Sequence, residues 1–252
     1  MISNGLTISD NMTPGDHLYR YISLSRFISL MEHRKLFLRK VKLWDDPWEA
    51  PDDQLPIVRA DGEPVKAGSL LAGSTVGQCW TYENDSDAMW RIYSSDKQGI
   101  MLETIADNFN RIDNLKDAVL ARVIYFNKDN YIEKRREISG NKSYLFAGDM
   151  ALKREAFKHE NEVRLLICLQ NYYREFQDID VWEIPYIEFD IAPEAFLKSI
   201  TFDPRSDDWY VKTMIKYCES KGLKCPIRRS SLYHKDFYES TNIVRRYELV
   251  KE

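Results

Sequence analysis

The sequence predicts a single domain of the α+β class, built on a central mixed or antiparallel sheet that is flanked by helices. Short apolar strand patterns recur along the chain, and helical patterns interrupt them at irregular intervals. No repeat or low-complexity linker divides the 252 residues, and a chain of this length buries a sizeable core. We expect a lead-in over residues 1–17, one domain over 18–231 and a tail over 232–252.

The first half of the chain alternates between strand and helix patterns. Ser23 or Ser25 can cap a helix whose apolar stripe ends at Met31, and a second helix follows the cap at residues 84–86. The breakers within residues 50–76 predict a long loop or insertion. The predicted strands are Leu18–Ile22, Leu36–Leu43, Val76–Thr81, Gly99–Glu103 and Ala118–Phe126, with a helical region over Ile105–Asp117.

The second half predicts further strands and two longer helices. Residues 142–155 have the pattern of an amphipathic helix, and Gly222 ends a helix over Trp209–Lys221. The predicted strands are Glu162–Cys168, Tyr186–Asp190, Leu197–Phe202 and Leu223–Arg229.

The start of the strand Glu162–Cys168 carries an unusual set of charges. Glu160, Glu162 and Arg164 alternate with apolar residues. Because successive side chains of a strand point to opposite faces, these three groups share one face. Charges on a buried strand are costly unless they are paired or used in chemistry. Two interpretations follow. The residues form a structural ion-pair strip, or they form an acidic catalytic position, for which Glu162 is the first candidate because it stands closest to the strand core.

Composition and charge argue against several classes of protein. The net charge is −4, and no long basic run predicts broad attraction to nucleic acid. The four cysteines and four histidines lack the spacing of a metal site or a disulfide framework, so no metal is expected. The N-terminus lacks the pattern of a signal peptide, and no apolar run approaches a membrane span. We therefore expect a cytoplasmic protein without a membrane partner.

Familiar catalytic motifs are absent from the sequence. There is no phosphate loop, GxGxxG, GxSxG or HExxH. The remaining carboxylates, arginines and aromatic rings suit cleavage at an anomeric carbon, where a carboxylate stabilises developing positive charge and rings hold a flat group. Many binding proteins use the same residue types, so a binding role stays open.

A second group of candidates lies near residues 44–49. Two tryptophans and three carboxylates in six residues are unusual for a plain turn, which makes Asp46 and Glu49 candidates. A capped turn held by tryptophan packing is the alternative interpretation. Trp80, at the end of a predicted strand, is a further candidate.

These stretches come in an order that resembles a known family. They are Leu18-Tyr-Arg-Tyr21, Leu30-Met-Glu-His-Arg-Lys-Leu-Phe-Leu38, Asp45-Asp-Pro-Trp-Glu49, Cys79-Trp80, Met89-Trp-Arg-Ile-Tyr93 and Glu160-Asn-Glu-Val-Arg164. Together they resemble the bacterial and phage-associated domain of unknown function 2971, over about residues 18–231. The third block departs from the usual Asn-Asp-Pro-Phe-Glu of that family but keeps Asp46, Pro47 and Glu49. The family has no established activity, so this resemblance alone implies no function.

A more distant resemblance is to the ADP-ribosyltransferase fold, including toxins that modify DNA. It rests on the first strand, the helix that leads into Leu36-Phe-Leu38, and the late Glu162-Val-Arg-Leu165 strand. This resemblance implies NAD as a substrate and Glu162 as the catalytic glutamate. The first-strand histidine of many such enzymes has no counterpart, since His17 precedes the predicted strand.

The same resemblance implies a role for each candidate side chain. Glu162 would stabilise the developing positive charge and orient the ribose. Glu160 and Arg164 would adjust the properties of the Glu162 carboxylate. Arg20 would hold the diphosphate. The implied substrate-binding residues are Tyr19, Arg20, Tyr21, Trp90, Tyr93 and Arg164.

Two hypotheses of different classes follow. The first is an NAD-dependent ADP-ribosyltransferase, a toxin or phage-defence effector that modifies an unidentified protein or nucleic acid. The second is a non-enzymatic sensor or regulatory module of a defence or toxin–antitoxin system, with an antitoxin or phage protein as partner. A solvated cleft that holds Glu162, Arg20 and an aromatic ring favours the enzyme, whereas a sealed ion-pair strip favours the module. A metal-independent nuclease has little support, because no suitable histidine or lysine is placed for it.

Overall fold

The computed structural model describes residues 5–49, 57–58, 61–65, 70–176 and 178–234. Within these ranges the strands are β1 (Leu6–Ile8), β2 (His17–Ile22), β3 (Lys35–Lys40), β4 (Ile57–Val58), β5 (Pro64–Val65), β6 (Thr75–Thr81), β7 (Ile100–Ile105), β8 (Ala118–Arg122), β9 (Ile124–Phe126), β10 (Leu152–Arg154), β11 (Glu162–Cys168), β12 (Tyr186–Asp190), β13 (Ser199–Phe202) and β14 (Ile227–Arg229).

Helices connect these strands. The α-helices are α1 (Leu24–His33), α2 (Leu70–Gly73), α3 (Asp87–Tyr93), α4 (Tyr131–Gly140), α5 (Leu169–Tyr172), α6 (Pro193–Phe196) and α7 (Asp208–Ser220). Short 3₁₀ helices span Val41–Leu43, Pro47–Glu49, Ala106–Arg111, Lys142–Ala151 and Glu155–Glu160. Of the two predicted candidates, Ser23 and Ser25, it is Ser23 that caps α1, since its hydroxyl accepts from the backbone N–H of Arg26.

Ten strands form one mixed sheet, which confirms the predicted α+β class. Eight of them follow the order β1-β8-β11-β6-β2-β7-β13-β14, while β3 joins β6 beside this path and β12 pairs with β3. Most neighbours are antiparallel, and the β1–β8 and β13–β14 pairs are parallel. Two small ladders, β9–β10 and β4–β5, lie outside this sheet.

The large sheet divides at β6. On one side, β11 pairs with every residue of β6 from Thr75 to Thr81. On the other side, β2 pairs only at Thr81, and β3 pairs only at Val76 and Gly77. Among the described strands, residues 78–80 of β6 therefore face a gap between β2 and β3. This gap opens a crevice in the middle of the sheet.

Alternation along β11 separates its side chains into two environments. Val163, Leu165 and Ile167 belong to the main core, as the sequence predicts. Glu162 and Arg164 lie in register with Thr81 and Cys79 on the opposite face, where a second core packs. The charged face of the strand is therefore separated from the main core by the sheet itself.

Several predicted elements differ from the structure because tertiary contacts override local periodicity. The helix predicted over 142–155 is a 3₁₀ segment followed by β10, with a break at Leu145 (φ 48°, ψ −122°). Tyr144 is buried and donates to the Arg122 carbonyl over 2.9 Å, which anchors this segment in an irregular path. The strand predicted over 118–126 divides at Val123, whose N–H donates to the Glu162 carbonyl.

Other differences concern the limits of elements. The strand predicted over 36–43 ends at Lys40, and the helical region 105–117 shortens to a 3₁₀ helix. Within the predicted lead-in, β1 pairs with β8, and His17 is the first residue of β2. The proposed domain limits stay a prediction. Much of the predicted 50–76 loop and the tail from residue 235 lie outside the described residues.

Candidate functional site

A cleft of about 360 Å³ lies at the division of the sheet. Its walls come from strands β2, β3, β6, β10 and β11, from helices α1 and α3, and from residues 44–49 and the 3₁₀ helix Glu155–Glu160. The split backbone explains its location, because two diverging strands cannot fill the space beside the middle of β6. Charged lining residues are Arg20, Arg26, Arg39, Asp45, Asp46, Glu49, Lys153, Glu160 and Glu162.

Lys153 joins three carboxylates on one wall of this cleft. Its Nζ lies 2.8 Å from Glu162 Oε2, 2.5 Å from Glu160 Oε2 and 3.0 Å from Glu49 Oε1. The side chains of all four residues are at most 12% exposed, so these charges interact in a partly desolvated environment. Lys153 thus joins Glu49, from a distant segment, to Glu160 and Glu162, which follow Lys153 closely in the sequence.

Arg164 supplies the second cation and is fully buried. Its Nε donates to Glu162 Oε1 over 2.9 Å, and its Nη2 lies 3.1 Å from Glu162 Oε2 and 3.2 Å from Glu49 Oε1. Its Nη1 donates to the Met150 carbonyl over 2.7 Å, and its guanidinium lies over the Trp44 ring at 4.8 Å. Arg164 therefore supports the cleft wall from behind and does not line the cleft.

The cluster retains a negative charge when its members are ionised, because three carboxylates share two cations. Burial raises the pKa of Glu162, but Arg164 and Lys153 outweigh burial and lower this pKa to about 2. Burial lowers the pKa of both cations, and the adjacent carboxylates more than reverse that effect. Glu162, Lys153 and Arg164 are therefore charged at neutral pH.

Glu160 is the most exposed carboxylate of this cluster. Its side chain is 12% exposed, against 3% for Glu162. The Tyr93 hydroxyl donates to Glu160 Oε1 over 3.4 Å, and the Tyr93 ring stacks on Tyr21 with a centroid distance of 6.5 Å. An aromatic surface therefore lies beside the carboxylate that solvent reaches most easily.

Three arginines line the cleft from β2, α1 and β3. Arg20 is half-buried, and Arg26 and Arg39 are exposed. Within the described ranges, none of their guanidinium groups has a hydrogen-bond or ion-pair partner. Desolvation lowers the pKa of Arg20 to about 10, so the group is still protonated at neutral pH. Three guanidinium groups without a partner in the described part of the chain, all in one crevice, have the chemistry to bind an anion.

Asp46 has an unused acceptor in the cleft wall. Its Oδ1 accepts from Arg154 Nη2 and from the Trp48 backbone N–H, each over 3.0 Å. Its Oδ2 is buried and has no hydrogen-bond partner among the described residues, although the side chain is only 9% exposed. A buried acceptor without a donor is costly, so a ligand hydroxyl or amine would stabilise this position.

The remaining predicted residues divide between the cleft and the structure behind it. Tyr19, Tyr21 and Trp80 line the cleft, although each is buried. Trp90 does not line the cleft, since it packs edge-on against Tyr21 at 4.8 Å and its indole donates to Asp85. The structure thus brings together every predicted site residue except Arg164 and Trp90, which lie directly behind the walls.

Sequence reasoning missed several lining residues. Lys153 lies in a segment predicted to be helical, so nothing pointed to its position among three carboxylates. Arg26 resembles any exposed residue of an amphipathic helix. Phe37 and Arg39 had a usable signal, because they alternate with the core residues of a predicted strand and therefore share one outward face.

Two further properties concern metals and membranes. In residues 5–49, 57–58, 61–65, 70–176 and 178–234, no group of histidine, cysteine, aspartate or glutamate side chains could hold a metal ion. In the same part of the chain, no helix has the length and apolar character to cross a membrane.

Comparisons with known proteins concern part of this site and the fold. The model of a family described as a protein of unknown function, DUF2971, matches residues 89–165 and confirms the resemblance to that family. Among curated proteins, no sequence matches the chain. Similar solved structures are Thermus sp. 2.9 DarT in complex with NAD+, at 8% identity and a TM-score of 0.39, and in complex with carba-NAD+, at 9% and 0.38. Both matches cover 86% of this chain and 96% of the other.

Proposed function

We propose that the cleft binds NAD as a substrate and that the protein transfers its ADP-ribose group to an acceptor. The observation that carries this proposal is the division of charge within one cleft. Three arginines that have no partner among the described residues lie on one side, and a carboxylate cluster with excess negative charge lies on the other. NAD complements both sides, because its diphosphate is negative and its nicotinamide ring is positive.

The residues present fit such a substrate. Arg20, Arg26 and Arg39 supply donors for the diphosphate. The orphaned Oδ2 of Asp46 can accept from a ribose hydroxyl. The exposed ring of Tyr93, which rests on Tyr21, offers a surface for a flat heterocycle.

The two glutamates have different roles in this proposal. Glu162 already accepts from three donors, namely Lys153 Nζ and Arg164 Nε and Nη2, and the neighbouring Cys79 thiol also helps to lower its pKa. A carboxylate has about four lone-pair sites, so Glu162 acts mainly through its negative field. A thiol is a weak donor, so a substrate hydroxyl can replace Cys79. Glu160 is the more exposed of the two, and its Oε1 accepts only a long bond of 3.4 Å from Tyr93, so this oxygen is the one available to an acceptor group.

The reaction exchanges one bond at the ribose for another. The bond between ribose C1 and the nicotinamide nitrogen breaks, and its electron pair leaves with neutral nicotinamide. An acceptor oxygen or nitrogen then bonds to that carbon and loses its proton to Glu160. The negative charge of the cluster stabilises the positive charge that develops at the ribose.

Calorimetric titration with NAD and chromatographic detection of nicotinamide test this proposal. We expect Glu160→Gln to slow nicotinamide release by about 10²–10⁴-fold with little change in the Kd for NAD. Arg20→Ala should raise that Kd by about tenfold or more, because it removes a charge-assisted contact. Glu162→Gln should slow release as well, because it removes the buried negative charge.

Matched controls separate these effects from general damage. Glu137→Gln removes an exposed carboxylate of α4 that pairs with Lys134, and Arg136→Ala removes an exposed charge from the same helix, and neither residue lines the cleft. Both variants should release nicotinamide at the wild-type rate. The proposal is wrong if the wild type neither binds NAD nor releases nicotinamide with protein or nucleic-acid acceptors.

The pairing of Glu162 favours a second candidate, a binding or regulatory module. Its carboxylate is 3% exposed and its hydrogen-bonding capacity is used, as a structural ion-pair strip requires. Such a module would bind NAD or a related anion at the arginines without chemistry. Tight NAD binding by the wild type, with no nicotinamide release for any acceptor, would support this candidate over the enzyme.

The biological setting is part of the proposal. We place the protein among toxins or phage-defence effectors that act on a protein or nucleic acid, with an antitoxin or phage protein as partner. The phage-associated setting is what the sequence resemblance to the domain of unknown function 2971 implies, and the match of its family model over residues 89–165 supports that resemblance. Induction in a bacterial host tests it, since the wild type should arrest growth and Glu160→Gln should not. Equal growth of both strains would contradict a toxin role.

A further inference from the structure

We propose that an exposed aromatic pair, Phe37 and Tyr186, is the stacking surface for the adenine ring of the dinucleotide. This inference rests on the proposed function and adds the orientation in which the dinucleotide binds. The adenine lies on β3 and β12, the diphosphate lies on the arginines, and the nicotinamide lies beside Tyr93 and Glu160.

The pair stands on the outer face of two strands. β3 and β12 are antiparallel, with Tyr186 opposite Arg39 and Glu188 opposite Phe37. The rings lie 4.6 Å apart between centroids and are inclined by 32°. Phe37 is 43% exposed and Tyr186 is 47% exposed, although neighbouring residues of both strands are buried. Two adjoining aromatic rings therefore present apolar area to solvent.

This surface is continuous with the arginine side of the cleft. Phe37 and Arg39 both line the cleft, and Arg39 is the cross-strand neighbour of Tyr186. An aromatic surface beside an unpaired guanidinium complements a base that is joined through ribose to a phosphate. The carboxylate of Glu188, opposite Phe37, adds an acceptor that suits the amino group of adenine.

The distance to the carboxylates favours a dinucleotide over a smaller ligand. β6 lies between β3 and β11, and neighbouring strands are spaced by about 4.8 Å. Phe37 is therefore about 10 Å or more from Glu162 across the sheet. One flat group cannot contact both places, whereas two flat groups joined by a diphosphate can. The arginines lie where that link would run.

Calorimetry with NAD, ADP and nicotinamide mononucleotide tests the assignment. We expect Phe37→Ala and Tyr186→Ala to raise the Kd for NAD and for ADP by about fivefold or more, since each removes a stacking ring. The Kd for nicotinamide mononucleotide should not change, and Phe37→Tyr should restore binding. Phe176→Ala, an exposed aromatic position that does not line the cleft, is the control and should match the wild type.

The outcomes separate this inference from the proposed function. Normal binding of NAD and ADP by both alanine variants overturns the stacking surface and leaves the proposed function intact. An equal loss for nicotinamide mononucleotide also overturns it, because the damage is then general. If the wild type fails to bind NAD, the proposed function is wrong. In that case, ADP binding that Phe37→Ala abolishes still supports an adenine site, and no ADP binding overturns it.

Discussion

The buried negative charge of Glu162 is stabilised by the ion pairs around it. Removal of an unpaired carboxylate from water costs many kcal/mol, yet the side chain of Glu162 is only 3% exposed. Arg164 and Lys153 supply three of its donors, and the cluster as a whole holds one more negative than positive charge. Its charge is therefore present throughout the physiological pH range.

The pH dependence of stability follows from the same contacts. The pKa of Glu162 is about 2 in the folded protein, against an ordinary value of 4.5 that we assign to the unfolded chain. Because folding lowers this pKa, the stabilisation is complete above pH 4.5 and is lost as the pH falls towards 2. The difference corresponds to about 3 kcal/mol. Urea unfolding across this window should show a steeper loss for the wild type than for Glu162→Gln, and equal slopes would contradict the pairing.

Strand β6 determines where the cleft opens, and its Gly77 determines how closely neighbouring side chains pack against the strand. At Gly77 an added Cβ would lie 2.7 Å from Leu166 Cδ2 and 3.0 Å from both the Leu165 carbonyl oxygen and Trp44 Cζ2. Because Gly77 has no side chain, Trp44 can pack directly against the strand, where the Trp44 ring lies against the Arg164 guanidinium. The glycine supports the carboxylate cluster through a tryptophan.

We predict that Gly77→Ala lowers the free energy of unfolding by about 1–3 kcal/mol, because the new methyl group overpacks this contact. The displaced Trp44 should also change the tryptophan fluorescence of the native protein. Gly140→Ala is a matched control, since an added Cβ there meets no atom within 4 Å. Its stability should equal or slightly exceed that of the wild type. A Gly77→Ala variant as stable as Gly140→Ala would refute the packing explanation.

The divided sheet organises the molecule as a whole. Its two branches separate beside β6, and the Gln78 side chain bridges the gap. Its Nε2 donates to the Phe37 carbonyl and its Oε1 accepts from the Trp80 indole, each over 2.9 Å. One amide thus connects β3, which carries the proposed adenine surface, to the strand beside the carboxylates.

Replacement of this amide should affect both stability and binding. Gln78→Leu removes the partners of the Phe37 carbonyl and the Trp80 indole, which should cost about 1–3 kcal/mol in urea unfolding. Because the position of β3 then depends on fewer contacts, the Kd for NAD should rise as well. Gln170→Leu, at an exposed position of α5, should change neither quantity. Wild-type stability and affinity for Gln78→Leu would show that the bridge is dispensable.

Local patterns predicted the parts of the fold that depend on neighbouring residues. Strand alternation identified β2, β11 and β12, and the Ser23 cap placed the start of α1. Periodicity failed over residues 142–155, because the burial of Tyr144 and the pairing of β10 with β9 outweigh helix propensity. The fold class was predictable because alternating strands require a sheet, whereas the order of the strands was not.

Alternation along β11 predicts that Glu162 and Arg164 share a face, because a strand repeats every two residues. The same prediction is wrong for Glu160, which lies outside the strand at the end of the 3₁₀ helix Glu155–Glu160, so packing between elements brings its carboxylate to the cluster. Lys153 reaches these carboxylates only because β10 is a strand, and Arg20 reaches the cleft only where β2 leaves β6. Contacts between distant segments depend on strand order and packing, which local periodicity does not encode.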